Sequence, residues 1–208
     1  MKIVFLGDSL TEGWPGQSFF SRLSSLLPDD NLLNYGRAGD TIAAMLARLK
    51  AQRPERADLA VLWIGTNDAF LGGWDLPPLD SSPLTNEASF GAWRPSSPER
   101  AYEQALDLAL ACAPAVVCVP PLLPDPFEPG GITARIAELA AMEAAAVGRR
   151  GPQARLFDLA EAFAAAHSVT GHAVFTIDGV HLSAHGADVV AHAFAALIAS
   201  WPATQTTG

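Results

Sequence analysis

Apolar runs of strand length alternate with segments of helical periodicity along nearly the whole chain, and this alternation restricts the fold more than any other feature. The runs fall at residues 2–6, 31–35, 58–64, 115–119 and 155–158, each short and rich in leucine or β-branched residues. Between the first and second runs, Phe19, Phe20, Leu23, Leu26 and Leu27 recur at helical spacing; between the second and third, Ile42, Met45, Leu46 and Leu49 do the same. Ser97-Pro98-Glu99 reads as a helix start, with serine as cap, proline at the first helical position and an acid in the first turn. The helix it opens carries Tyr102, Leu106, Ala109 and Leu110 on one face. Residues 132–148 are alanine-rich and helical, and residues 184–200 place Val190, Phe194, Leu197 and Ile198 on one stripe. Repeated β-α-β units predict an α/β fold, a parallel sheet of about five strands with helices on both faces.

Length and composition bound the rest. With 208 residues and 50% hydrophobic content, the chain has material for one full core and too little length for two domains with a linker, so residues 1–208 read as a single domain. Acidic residues outnumber basic ones 22 to 13, for a net charge of −9, which repels polyanions and argues against a nucleic-acid partner. Residues 1–7 hold one lysine and only a strand-length apolar run, neither a secretory leader nor a membrane span, so a cytoplasmic protein is expected. Cys112 and Cys118 read as small buried hydrophobes in a helix and a strand, although two cysteines also permit one disulfide.

One stretch breaks the pattern. Residues 72–95 contain Pro77, Pro78, Pro83 and Pro95 and no clear period, in a connection longer than compact domains ordinarily use. Trp74, Phe90 and Trp93 argue against a solvated linker. Either they line a substrate site or they hold the insertion to the domain surface.

The polar clusters sit where such a sheet would place chemistry. Gly7-Asp8-Ser9-Leu10 follows the first strand, Asn34-Tyr35-Gly36-Arg37-Ala38-Gly39-Asp40-Thr41 the second, and Gly65-Thr66-Asn67-Asp68 the third, so in a parallel sheet all three share one edge. Near the end of the chain, Asp178-Gly179-Val180-His181 puts a carboxylate three residues before a histidine, within reach of its ring in a turn-like step. A serine hydroxyl needs a base to accept its proton as it attacks, which His181 supplies if it lies beside Ser9. Asp178 would then orient the imidazole and stabilise its charged form. A tetrahedral intermediate needs donors at its oxyanion, here the N–H of Ser9, the N–H of Gly39 and the amide of Asn67.

On these residues the chain resembles the GDSL or SGNH hydrolases. Ser9 in GDSLTEG, Gly39 in NYGRAGDT, Asn67 in GTND and His181 in DGVH match the family's four blocks in order, over most of the chain. The resemblance implies a flavodoxin-like three-layer fold and a serine mechanism without metal or cofactor. It also implies substrates that range over simple esters, lipids, thioesters and acetylated sugars. The insertion at 72–95 is the departure from the pattern, and it bears on substrate class. The expected activity is a serine esterase acting on a small or medium carboxylic ester. An acyltransferase or thioesterase would use the same site, and a non-catalytic binding protein would keep the fold.

Duller roles compete at each position. Ser9 and Asn67 can serve turns, Gly39 can serve turn geometry alone, and Asp8 and Asp68 fit loop anchors that accept backbone N–H bonds. His181 and His185 stand four apart, but with no glutamate beside the first and with Ser183 opening a helix between them, a zinc pair is not expected. His167, His172 and His192 read as solvated. Gly36-x-x-Gly39 lacks the further residues of a nucleotide loop, and no G-x-S-x-G elbow is present. A central first strand, in the order 2-1-3-4-5, would bring Ser9 at one end of the chain to Asp178 and His181 at the other.

Overall fold

Strand β1 (Lys2–Gly7) is buried on both faces, and its side chains alternate between two separate cores. Val4 and Leu6 face one, Ile3 and Phe5 the other. The computed structural model describes residues 1–71, 97–125, 131–170 and 174–202. β1 pairs in parallel with β2 (Asn31–Gly36) on one side and β3 (Leu59–Trp63) on the other; β4 (Val116–Val119) and β5 (Ala154–Leu156) continue the sheet. The order is β2-β1-β3-β4-β5, all parallel, which makes β1 the strand beside the switch in winding direction.

Eight α-helices accompany the sheet in the described residues: α1 (Ser9–Glu12), α2 (Phe19–Leu26), α3 (Ile42–Gln52), α4 (Thr66–Leu71), α5 (Pro98–Cys112), α6 (Ile132–Gly148), α7 (Leu159–Thr170) and α8 (Ala184–Ala199). On one face, Met45, Leu46 and Leu49 of α3, Tyr102 and Leu106 of α5, and Ala146 and Val147 of α6 pack on Val4, Leu6, Leu62 and Val116. On the other, α2, α7 and α8 cover Ile3, Phe5, Val61 and Trp63. Four rings tie the second face together: Phe194 lies 5.5 Å from Phe5 edge-on, 5.4 Å from Phe19 and 6.4 Å from Trp63 between centroids. Each such pair adds about 0.5–1.5 kcal/mol beyond the area it buries.

The helix expected at Ser97 starts as its sequence dictates, with Ser97 Oγ accepting the N–H of Arg100 at 3.2 Å and Pro98 in the first turn. Cys112 and Cys118 are free, buried thiols, one in α5 and one in β4. Three elements went unread in the sequence. α1 and α4 span 4 and 6 residues, too short for a periodic signal. α7 begins just past the expected last strand, which stops two residues early: β5 ends at Leu156, and the chain turns into helix on the Leu159 and Phe163 pair, four apart and both buried. Among the described residues, no helix is long and apolar enough to cross a membrane.

Candidate active site

Ser9 opens α1 directly after β1. Asp8 caps that turn, its Oδ1 accepting the Leu10 N–H at 3.0 Å, and Ser9 is 5% exposed. Beyond α1, the N–H of Trp14 donates to Ser9 O at 3.3 Å and that of Gln17 donates to Leu182 O at 2.8 Å. The segment after the serine is thereby tied to the loop bearing the histidine. The Trp14 indole is exposed on the rim of this junction.

The loop itself is a short hairpin. Thr176 and Leu182 form an antiparallel bridge, and the Ile177 N–H donates to His181 O at 2.8 Å, so residues 178–180 make the turn. Asp178 closes it: Oδ1 accepts the N–H groups of Val180 at 3.0 Å and His181 at 2.8 Å, while Oδ2 lies 2.6 Å from His181 Nδ1. On the far side of the ring, Nε2 is 3.1 Å from Ser9 Oγ. Partial burial pushes the Asp178 carboxyl up, but the His181 ring and the two backbone N–H groups outweigh it, leaving it below the usual carboxylate range. An ionised carboxylate only accepts, so Nδ1 carries the ring proton and Nε2 presents its lone pair to the serine hydroxyl.

Across the sheet edge, Gly39 occupies the third position of a turn in which the Asp40 N–H donates to Arg37 O at 3.2 Å. Its φ of +81° belongs to the left-handed region, and a Cβ built there meets nothing within 4 Å, so the position faces open space. Asn67 Nδ2 donates to Asp40 O at 2.9 Å, which commits one of its two amide hydrogens and leaves the other. One residue on, Asp68 Oδ2 accepts the Ile42 N–H at 3.0 Å. Two consecutive side chains of α4 therefore hold both the Gly39 loop and the start of α3 to α4. Asp40 pairs with Arg48, whose Nε lies 2.8 Å away; burial pushes the Asp40 carboxyl up, with Arg48 opposing.

Asp8 and Asp68 are the loop anchors their sequence positions suggest. Burial also pushes the Asp8 carboxyl up to about 7, against the Leu10 N–H, with Asp68 and Asp40 adding to the rise. His185 stacks on Phe175, with ring centroids 5.3 Å apart. His167 and His192 are exposed, and His172 lies outside the described residues. Trp74, Phe90 and Trp93, with the insertion at 72–95 that carries them, also lie outside the described residues.

A residue that the sequence did not single out supports the histidine loop from outside. Asp125 accepts the N–H groups of Phe175 at 3.2 Å and Thr176 at 2.7 Å, together with the Thr176 hydroxyl, which in turn accepts the Gly179 N–H at 3.1 Å. Phe175 and Thr176 are 50 and 51 positions away from Asp125, a separation no local pattern reveals.

Fold and site together define an α/β hydrolytic domain with serine, histidine and aspartate in one hydrogen-bonded row at the carboxyl edge of a parallel sheet. The chain belongs to the GDSL-like lipase/acylhydrolase family, whose model matches residues 5–189. It is a GDSL-type hydrolase of the carboxylic ester class. The fold is shared with a member of the lipolytic G-D-S-L family from Veillonella parvula, at a TM-score of 0.72 and 17% identity, covering 97% of this chain and 100% of that one. LAE5, an α/β hydrolase enzyme from the metagenome of Lake Arreo, Spain, matches at 0.69 and 21%, covering 94% and 93%. Axe2, an acetylxylan esterase from Geobacillus stearothermophilus, matches at 0.68 and 19%, covering 97% and 94%. At these identities the likeness is one of fold. Comparison with curated proteins finds no match.

Proposed function

We propose that the protein, as a single domain, hydrolyses a small or medium carboxylic ester through an acyl-enzyme on Ser9. The observation that carries this reading is the row Ser9 Oγ, His181, Asp178, with separations of 3.1 Å and 2.6 Å. As Oγ bonds to the ester carbonyl carbon, its proton passes to His181 Nε2, and the carbonyl π electrons move onto oxygen. Asp178 holds the imidazole in the required tautomer and offsets the charge it gains. The developing oxyanion is met by the N–H of Ser9, the N–H of Gly39 and the second amide hydrogen of Asn67. Collapse expels the alcohol, which takes the proton from Nε2. Water then repeats the sequence on the acyl-enzyme, freeing the acid and restoring Ser9.

The aromatic residues of the insertion, Trp74, Phe90 and Trp93, are proposed to contact the acyl chain or a sugar face of the substrate. Axe2 is named for acetylxylan, so acetylated sugars join simple esters among the first substrates to try.

The test is hydrolysis of p-nitrophenyl esters of increasing acyl length by the wild type and Ser9→Ala, with mass spectrometry after an alkyl p-nitrophenyl phosphonate. Turnover by the wild type alone, with one phosphonyl group on Ser9, is the expected result. An active Ser9→Ala protein would move the nucleophile elsewhere. For the insertion, a chain-length profile unchanged on replacing the three aromatics by alanine would remove them from the substrate site.

A further inference from the structure

Helix α6 buries Ile132, Ile136, Leu139, Ala146 and Val147 along one stripe, and that stripe also carries Glu143. Glu143 is 0% exposed, and neither carboxyl oxygen has a hydrogen-bond partner. A carboxyl in that setting costs free energy whether or not it is charged, and far more if it is.

Its position is specific. Gly65, between β3 and α4, has a φ of +114°, and a Cβ built there would stand 2.7 Å from Glu143 Oε1 and 3.5 Å from Pro121 Cγ. Glu143 thus fills the space beneath the turn from which Thr66 and Asn67 depart. The titratable groups that act on it are Asp68 in α4, Tyr102 in α5 and Asp8 after β1; Cys118 of β4 joins the same cluster through Tyr102. The Tyr102 hydroxyl, buried in the same cluster, is the polar group that opposes a rise in the Glu143 pKa, although it forms no hydrogen bond of ordinary length and angle. No basic side chain among the described residues enters this set. A fully buried carboxyl beside two others is disfavoured in its charged form. Burial first, and then Asp68 and Asp8 against the opposing Tyr102 hydroxyl, push the Glu143 carboxyl well above the usual range.

We propose that Glu143 is a positioning residue: an uncharged carboxyl seated under Gly65, it supports the Gly65–Asn67 turn and so sets where the Asn67 amide meets the substrate oxygen. The proposal rests on the oxyanion role given to Asn67 above. Ionising Glu143, or removing it, lets the turn shift, and small displacements of a catalytic group are costly in rate.

The experiment measures kcat and KM for p-nitrophenyl acetate, and thermal unfolding from pH 5 to 9, in Glu143→Gln, Glu143→Ala, Asn67→Ala and the Glu143→Ala/Asn67→Ala double variant. Glu143→Ala should lower kcat roughly tenfold or more with KM little changed, and the isosteric, uncharged Glu143→Gln should restore most of that loss. In the Asn67→Ala background the further loss from Glu143→Ala should vanish, because the two act through one group. Should Glu143→Ala not fold, Glu143→Met keeps the volume without the polar group and takes its place. A carboxyl raised in the folded state contributes stability below its unfolded value, near 4.5, and loses it as pH rises. The melting temperature of Glu143→Gln should therefore gain on that of the wild type with increasing pH. Unchanged kcat in Glu143→Ala, a Gln variant as poor as the Ala variant, or a constant difference in melting temperature would each overturn the proposal. Additive losses would do the same when Asn67→Ala is itself slow, whereas an Asn67→Ala protein with full kcat would instead remove the oxyanion role of Asn67.

Discussion

His181 Nε2 lies 3.1 Å from Ser9 Oγ, although 172 positions separate the two residues in sequence. The contact exists because β1 is central and its following loop meets the hairpin that precedes α8. In the proposed mechanism the neutral imidazole is the base, which fixes the sign of the pH dependence. kcat/KM for p-nitrophenyl acetate should be lower in acid than near neutral pH, because only the neutral imidazole can accept the Ser9 proton. Asp178 is held below the usual carboxylate range and stays ionised across that span. Asp178→Asn should lower kcat on the order of 10³ to 10⁴ by presenting the wrong tautomer to Ser9. A rate that stays level from pH 5 to 8 would count against His181 as base.

Asn67 has two tasks, and kinetics can separate them. One amide hydrogen ties α4 to Asp40 O at 2.9 Å, and the other is the one proposed to meet the substrate oxygen. Asn67→Ala should reduce kcat by about 10² to 10³, the usual effect of losing one oxyanion donor. Its melting temperature should fall only modestly, because Asp68 still holds Ile42. A rise in KM with kcat intact would reassign the residue to ground-state binding.

Asp8 couples the site to stability. Its folded value of about 7 against an ordinary 3.8 means that the native state holds a proton the unfolded chain releases. The associated stability is complete below about pH 4 and is lost as pH rises to about 7, on the order of 4 kcal/mol at full effect. Asp8→Asn keeps an acceptor for the Leu10 N–H and removes the titration. Calorimetry from pH 4 to 8 should show the variant gaining on the wild type up to about pH 7 and holding level above. Parallel curves would mean that Asp8 is ionised in the folded protein.

Much of this was legible in the sequence, and the exceptions share a physical cause. β1, β3 and β4 announce themselves as unbroken apolar runs because a parallel sheet buries both faces of its inner strands. The α6 stripe and the Ser97 cap follow from local periodicity and local hydrogen bonding. The order β2-β1-β3-β4-β5 follows from the need to bring Ser9 to His181. What escaped left no periodic signal: the single turn of α1 is too short for one and is held by the local Asp8 cap, and Asp125 reaches its partners 50 positions away. Glu143 did leave a trace, a charged residue four beyond Leu139 and three before Ala146 on an apolar stripe. Periodicity flags such a position as odd, but only the fold shows that Gly65 lies over it.

Asp125 gives the last prediction. It joins the segment after β4 to the strand entering the histidine turn, through the N–H groups of Phe175 and Thr176 and the Thr176 hydroxyl. Asp125→Ala orphans these donors, at about 1–3 kcal/mol for each that stays buried, and frees the hairpin that carries Asp178 and His181. Both the melting temperature and kcat should drop, the latter by about 10- to 100-fold, since imidazole placement against Ser9 depends on that hairpin. Asp125→Asn retains one acceptor oxygen and should fall between the wild type and the alanine variant. Thr176→Val, which removes the hydroxyl bridging Asp125 to the Gly179 N–H, should reproduce part of the loss. If Asp125→Ala melts early yet keeps full kcat below its transition, the strap serves stability alone and the hairpin holds its catalytic shape without it.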